Sequence, residues 1–184
     1  MFEHVVNKNI SLRLTHVTDS EEVYKVIDSS REHLKKWLSW VDLVKSPRDC
    51  KYSAYKAMHQ YASNNGFQCN VIYKDKIVGK IGLHGIEWSD KSTSIGYWLA
   101  EDYQGRGIMT SCCKSLLNMV FDNIKLNIVY IYVAEDNTKS RAIPERLNFK
   151  QHGLKKNAQI LSGNYVNHIQ YVMTRKDWNE LNKV

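Results

Sequence analysis

The sequence predicts one α+β domain spanning 1–184, built on a mixed, mostly antiparallel sheet of about seven strands with helices on both faces. Three observations carry this. Three β-prone runs between 67 and 100 are separated only by short polar turns, as in an antiparallel meander. Helical periodicity brackets them, opening at Pro47 and again at Gly107. The most β-prone stretch, I-V-Y-I-Y-V-A at Ile128–Ala134, then reads as a central strand.

Taken in order, Ile10–Leu14 (I-S-L-R-L) alternates apolar and polar residues as a half-buried strand does. Thr18 and Glu21 have the spacing of a capping box, and Val23, Val26 and Ile27 supply one face of a first helix. The run 31–40 predicts a second helical piece that puts Trp37 and Trp40 on one face. Those two rings belong either to the core or to a wall of a substrate pocket. Ser46 and Pro47 are an N-cap and a first-turn proline for a third helix, whose inward face would be Tyr55, Met58 and Tyr61 or Ala62. Asn64, Asn65 and Gly66 end it. The meander follows at 67–73, 77–87 and 92–100, with Gly79, Gly82 and Gly85 in its middle strand signalling bulges or close backbone approach. The helix 107–123 aligns Met109, Cys112, Leu116, Leu117 and Val120 on one stripe. After Ile128–Ala134 come a short helix at 138–147, strands at 149–158 and 165–174, and a last helical turn or two at 176–182.

Composition sets bounds. A hydrophobic content of 43% over 184 residues supports a sizeable core. No stretch approaches the roughly 18 to 20 apolar residues of a membrane span. The first residues lack the apolar run of a signal peptide. The expectation is a cytoplasmic protein without a membrane partner. Cys50, Cys69, Cys112 and Cys113 form no C-x-x-C pair and have no histidine at metal spacing, so buried thiols and no metal are expected. The formal charge of +7 favours an acidic partner such as nucleic acid, the ribosome or a polyanionic cofactor, unless lysine is simply the common surface residue. Scattered cations without interleaved aromatics argue against direct nucleic-acid binding.

One stretch carries chemistry. Residues 95–110, I-G-Y-W-L-A-E-D-Y-Q-G-R-G-I-M-T, read as a strand, a turn holding Gly105 and Gly107, and a helix N-terminus. Free amides and the positive helix end converge there, which is how a phosphate is held. No P-loop string exists, and a dinucleotide fingerprint would need glycine where Thr110 stands. Glu135 lies near the position of a ribose-binding acid, but a meander before the turn is not the repeated βαβ of a doubly wound sheet.

The set Gln104-x-x-Gly107-x-Met109-Thr110, then Asn137-x-x-Ser140 and E-R-L-N-F at 145–149, resembles the GNAT superfamily of acetyl-CoA-dependent N-acetyltransferases. I-S-L-R-L, R-E-H-L-K-K-W-L-S-W, I-G-L-H-G-I, S-I-G-Y-W-L, S-R-A-I-P-E-R-L and Y-V-N-H-I-Q-Y-V-M are similar to the branch that acetylates ribosomal-protein N-termini, the ribosomal-protein-serine acetyltransferase type. The resemblance covers nearly the whole chain. It implies that acetyl-CoA is the co-substrate. The pyrophosphate would lie on the amides of Gln104, Gly105, Arg106, Gly107, Ile108, Met109 and Thr110, with Arg106 adding charge. The pantetheine arm would pair with Tyr97, Trp98 and Leu99 where the two central strands splay apart. The Leu99 amide would face the thioester oxygen, and one such donor to a tetrahedral oxyanion is worth about 3 kcal/mol. Asn137 would hold the arm, and Ser140 would protonate the leaving thiolate. Both residue types are also favoured helix caps. Trp37, Trp40, His84 and Gln159 would line the acceptor pocket.

Three positions depart from the family pattern. Met109 and Asn148 stand where small residues are usual, and both are tolerable: only the Met109 amide is needed, and asparagine accepts positive φ. Gln159 stands where this branch often carries a glutamate proposed as general base. Deprotonating a lysine amine at pH 7 costs about 4 to 5 kcal/mol, whereas an α-amine costs about 1. The substitution therefore points to an α-amine, with His84, His152, His168 or a water-linked Glu87, Glu101 or Glu135 taking the proton. The expected function is direct acetyl transfer to a protein N-terminus. Two alternatives stand beside it: a polyamine or aminoglycoside acetyltransferase, whose pocket would be acidic, and an acyl-CoA-binding protein that has lost turnover. Edge strands near the C-terminus are compatible with a homodimer.

Overall fold

The computed structural model describes residues 3–183, and its centre is an eight-stranded sheet in the order β1-β2-β3-β4-β5-β6-β8-β7. The strands are β1 (Glu3–Asn7), β2 (Ile10–Leu14), β3 (Gly66–Tyr73), β4 (Lys76–Glu87), β5 (Ser92–Leu99), β6 (Ile128–Ala134), β7 (Lys150–Leu161) and β8 (Asn164–Thr174). Every neighbouring pair is antiparallel except β5 and β6. The helices are α1 (Ser20–Ser29), α2 (Arg31–Leu34), α3 (Pro47–Ala62), α4 (Ile108–Asn118), α5 (Thr138–Arg146) and α6 (Arg175–Leu181).

The strand count is eight where about seven were expected, because β1 offers only two apolar residues in E-H-V-V-N and is mostly exposed. Its ladder to β2 forms it, with no amphipathic pattern to announce it. The capping box also moves. His16 and Asp19 form it, ahead of the Thr18–Glu21 position, because the Asp19 carboxylate is recruited by Arg13 at 3.0 Å and Asn70 at 2.7 Å as well as by the His16 amide. Run 31–40 is helical only over Arg31–Leu34. Beyond it the Arg31 guanidinium donates to the carbonyls of Val41 and Val44, which bends the chain into a loop.

The inward face of α3 is Cys50 and Ala54, while Tyr55, Met58, Tyr61 and Ala62 are exposed. Small residues on that side let α3 lie close to α1 and β3, which large side chains there would prevent. Strand β7 runs to Leu161 and turns to β8 through Ser162 and Gly163 at positive φ, so Gln159 sits within a strand.

Two cores flank the sheet. One lies under α4, centred on Cys112, Leu116, Leu117 and Val120 against β2 to β6. The other lies under α1 and α3, with Val23, Ile27, Cys50, Ile72 and Ile77. The four cysteines are free and buried. In β4 the glycines permit close approach. A Cβ on Gly79 would stand 2.2 Å from the Trp98 carbonyl oxygen, and one on Gly82 would stand 2.4 Å from that of Phe67. Register shifts near Gly79 and at Gly85 mark bulges.

Gly79→Ala should therefore push β5 away from β4. Overpacking of this kind costs about 1 to 3 kcal/mol, and a chemical denaturation curve should register a loss in that range.

Candidate active site

Strands β5 and β6 pair through only three positions, Ser92 with Ile128, Thr93 with Val129 and Ser94 with Tyr130. Beyond them each strand stays with its outer neighbour. β5 keeps its register with β4 to Leu99, and β6 keeps its register with β8 to Ala134. The twist of the two half-sheets then opens a gap between them. The orientation of β5 in that gap follows from its ladder. The Ala100 amide donates to the Val78 carbonyl at 2.8 Å, so Leu99 and Gly79 are a non-hydrogen-bonded pair. The N–H and C=O of Leu99, and of Tyr97 two residues earlier, consequently turn away from β4 toward the gap. An extended ligand can add to such an edge as a strand does.

On the α4 side the gap opens into a cleft of about 1020 Å³. Gly105 (φ 72°) and Gly107 (φ 70°) adopt left-handed conformations, and the turn is open, with no atom within 4 Å of where their Cβ atoms would be. Among the described residues the amides of residues 105–110 meet no protein acceptor, and the first closed turn of α4 is Ser111 N–H to Gly107 C=O. Ile108 and Met109 are buried in the core and offer only backbone to a ligand there. Free amides at a helix N-terminus favour an anion, but two residues read for that role behave differently. The Gln104 amide donates to the Glu101 carbonyl, and its side chain bridges His33 and Lys139. The Arg106 guanidinium folds back over the Tyr103 ring and donates to the Asp102 carbonyl, so it does not line the cleft.

The cleft's positive side chains come from elsewhere: Lys36, Lys139 and Arg146, the last 3.4 Å from the Thr110 hydroxyl. Sequence reasoning passed over them. A signal was present, since Lys139, Ile143 and Arg146 recur at the four- and three-residue spacing of one helix face, and all three line the cleft.

On the opposite side lies a second cleft of about 690 Å³. Trp37, Leu38, Tyr97, Trp98, Asn137 and Ser140 line both. Trp37 and Trp40 reach the second cleft from the loop after α2, and Trp40 packs on Trp98 with ring centres 6.1 Å apart. At the junction the Tyr97 hydroxyl donates to the Ser140 carbonyl at 3.1 Å, and the Ser140 hydroxyl donates to the Tyr97 oxygen at 3.4 Å. Burial drives the Tyr97 phenol far above its usual range, so it stays a neutral donor. Asn137 caps α5, its Oδ1 accepting from the Ser140 amide, which leaves its amide nitrogen for a ligand.

His84 lies over Gly96 and faces the second cleft, 3.3 Å from Gln68. The His168 Nε2 is 3.1 Å from the Gln159 side-chain oxygen. The Gln159 amide nitrogen reaches the Trp37 carbonyl and the Ser39 hydroxyl at 3.5 and 3.4 Å. His152 and Glu87 are exposed and line neither cleft, and Glu101 and Glu135 also stand outside both linings. Burial pushes the thiols of Cys69 and Cys112 up to about 12 and that of Cys113 well above the ordinary thiol value, so none is a thiolate nucleophile. Among the described residues no three His, Cys, Asp or Glu side chains converge as a metal would require.

The profile of the acetyltransferase (GNAT) domain matches residues 9–150. YdaF of Bacillus subtilis, which carries a provisional name as a ribosomal N-acetyltransferase, is 31% identical over 179 residues, covering 97% of this chain and 98% of that protein. The ribosomal-protein-serine acetyltransferase of Escherichia coli is 24% identical over 160 residues, covering 87% and 89% respectively. The crystal structure of the microcin C7 self-immunity acetyltransferase MccE, in complex with acetyl-CoA and AMP, aligns with a TM-score of 0.89 at 27% identity, over 92% of this chain and 94% of that one.

Burial, the leading cause in each case, holds His33 and His168 below the ordinary histidine value of 6.5. Such groups prefer to stay neutral in the fold, so protonation favours the unfolded chain. Stability is full above about pH 6.5 and declines as pH falls from there. Thermal melting between pH 8 and 5 should show this plateau and fall, and His33→Gln with His168→Gln should flatten the fall.

Proposed function

Because the chain belongs to the GNAT acetyltransferase family, and is accordingly an acetyl-CoA-dependent N-acetyltransferase, we propose that its acceptor is the N-terminal α-amine of a protein, with ribosomal proteins as the substrate class. The observation that carries this reading is the pair of clefts meeting at Tyr97 and Ser140. One is rich in free amides and cations, as a CoA pyrophosphate needs. The other contains Lys56, Lys80, His84 and His168 and no carboxylate. A polyamine or aminoglycoside would bring several positive charges into that second cleft and find nothing to pair with them. A single α-amine can enter as the neutral base at a cost of about 1 kcal/mol near pH 7. The names of two relatives agree with the substrate class, and a ribosomal substrate supports a cytoplasmic location.

In this reading Tyr97 and Leu99 align the acetyl donor through their gap-facing backbone, and Asn137 steadies it. The amine adds directly to the thioester carbonyl. The Leu99 N–H receives the charge that builds on the oxygen, a fixed donor that needs no reorganisation. As the carbon–sulfur bond breaks, the Ser140 hydroxyl beside the Tyr97 phenol gives its proton to sulfur and takes one back from solvent water. The amine's surplus proton leaves through water toward His84 or His168, whose pKa values desolvation lowers toward the neutral form. The edge strand β7, with Leu154, Ile160 and the adjoining Tyr165 exposed, is where a second copy would pair in a homodimer.

Transfer from labelled acetyl-CoA to Ser- or Ala-starting peptides, spermidine and an aminoglycoside tests the proposal. Peptides alone should be acetylated; tight CoA binding with no transfer to any acceptor would leave a binding protein. Ser140→Ala should lower kcat by about a hundredfold with little change in KM for acetyl-CoA, in the range of lost acid catalysis. Gln159→Glu should raise the rate if that side chain faces the amine, and an unchanged rate would put the proton acceptor elsewhere.

A further inference from the structure

The second cleft holds a lysine that the reaction does not use. Lys80 lies on β4, in the middle of the sheet, and lines this cleft. Across the strands it pairs with Trp98, one of the six residues both clefts share, so it stands one side chain from the junction. Among the described residues its ammonium makes no hydrogen bond and no ion pair. The carboxylate nearest in charge, Asp19, is already taken by Arg13 at 3.0 Å and Asn70 at 2.7 Å. Lys56, the other cation of this cleft, is exposed and rests 4.5 Å over the Tyr52 ring. Lys80 is half-buried, and that burial depresses its pKa. A partly desolvated cation with no partner carries a cost that an arriving anion relieves.

We propose that Lys80 receives a carboxylate carried by the acceptor, so that the preferred substrates are proteins with an acidic residue among the first few after the acetylated α-amine. This rests on the N-terminal reading above and sharpens it. The amine would sit at the junction near Ser140, and the acidic side chain would point past Trp98 to Lys80. The contact also orders the substrate: a carboxylate on Lys80 fixes the peptide's direction in the cleft, and a lysine or arginine at the same place is repelled.

The test compares three Ser-starting peptides that differ only at positions two and three, carrying Glu, Gln or Lys there. The expected order of kcat/KM is Glu, then Gln, then Lys, with about a tenfold step from Gln to Glu that shrinks as salt is added. Lys80→Met should bring Glu and Gln peptides within about twofold of each other, and Lys80→Arg should keep most of the preference. Calorimetric binding of acetyl-CoA to each variant reports that it is folded; if Lys80→Met fails this check, Lys80→Gln replaces it. Equal rates for the Glu and Gln peptides in the unmodified protein overturn the proposal, as does a preference that survives in the folded Lys80→Met protein. Acetyl-CoA binding with no transfer to any of the three peptides removes the N-terminal reading itself, a different result from equal transfer to all.

Discussion

The parting of β5 from β6 after three residue pairs is the constraint on which the site depends. A continuous ladder there would satisfy the amides of Tyr97 and Leu99 within the sheet and seal the passage between its two faces. Left open, the gap keeps those backbone groups available and lets a ligand on one side meet a ligand on the other. An unpaired backbone group in a protein interior is costly, so the gap persists only because β4 and β8 hold the two strands from outside. Gly79 and Gly82 take part at a distance. By letting β4 lie close to its neighbours, they keep β5 with the outer half of the sheet.

Charge is distributed about this gap by side. Lys36, Lys139 and Arg146 stand in the larger cleft, where the free amides of residues 105–110 already favour an anion. These side chains come from the loop after α2 and from α5, so the larger cleft is lined by elements far apart in sequence. The smaller cleft differs: it holds Lys80, half-buried, and two imidazoles, His84 and His168, whose pKa values desolvation lowers toward the neutral form. A neutral imidazole can take a proton from an attacking amine, whereas an ammonium can only repel or bind. The larger cleft carries the denser fixed charge, with His33 as its imidazole, and the smaller one carries two imidazoles, His84 and His168. The overall +7 charge, uninformative as a total, becomes meaningful once divided between these surfaces.

Much of the fold was legible because it is written in local patterns. The meander, the α4 stripe and β6 are periodic apolar runs, and each formed where the pattern put it. The errors have a common origin in long-range contacts. β1 exists through its ladder to β2. The capping box forms on the 3-10 turn Val17–Asp19 just before α1, where Arg13 and Asn70 also hold the Asp19 carboxylate. The face of α3 was misjudged because large apolar residues were expected inward, whereas close packing selected Cys50 and Ala54. At the candidate site, the glycine turn was read from its own residues and Leu99, Asn137 and Ser140 from the family resemblance, and all of them line the larger cleft. Arg106 could not be placed, because a surface guanidinium goes where the nearest carbonyl and ring take it. Lys80 was invisible for a related reason: only strand register puts it opposite Trp98.

Gln159 shows how a residue unsuited to one role can serve another. An amide cannot accept the amine's proton, so acid–base chemistry at this position is absent. Its two ends are nevertheless engaged, the oxygen with His168 on β8 and the nitrogen with Trp37 and Ser39 in the loop that roofs both clefts. A carboxylate would keep the first contact and lose the donor that makes the others. The glutamine thus ties the closing hairpin to the loop that positions Trp37 and Trp40 and presents an acceptor to one ring nitrogen of His168. For an acceptor that costs little to deprotonate, holding the pocket's shape is a role that an amide fills, separate from the basicity a carboxylate would add. The same reasoning joins Gln159 to Lys80. A pocket that fixes its substrate by shape and by a carboxylate contact, and takes the amine already neutral, has little need of a carboxylate of its own.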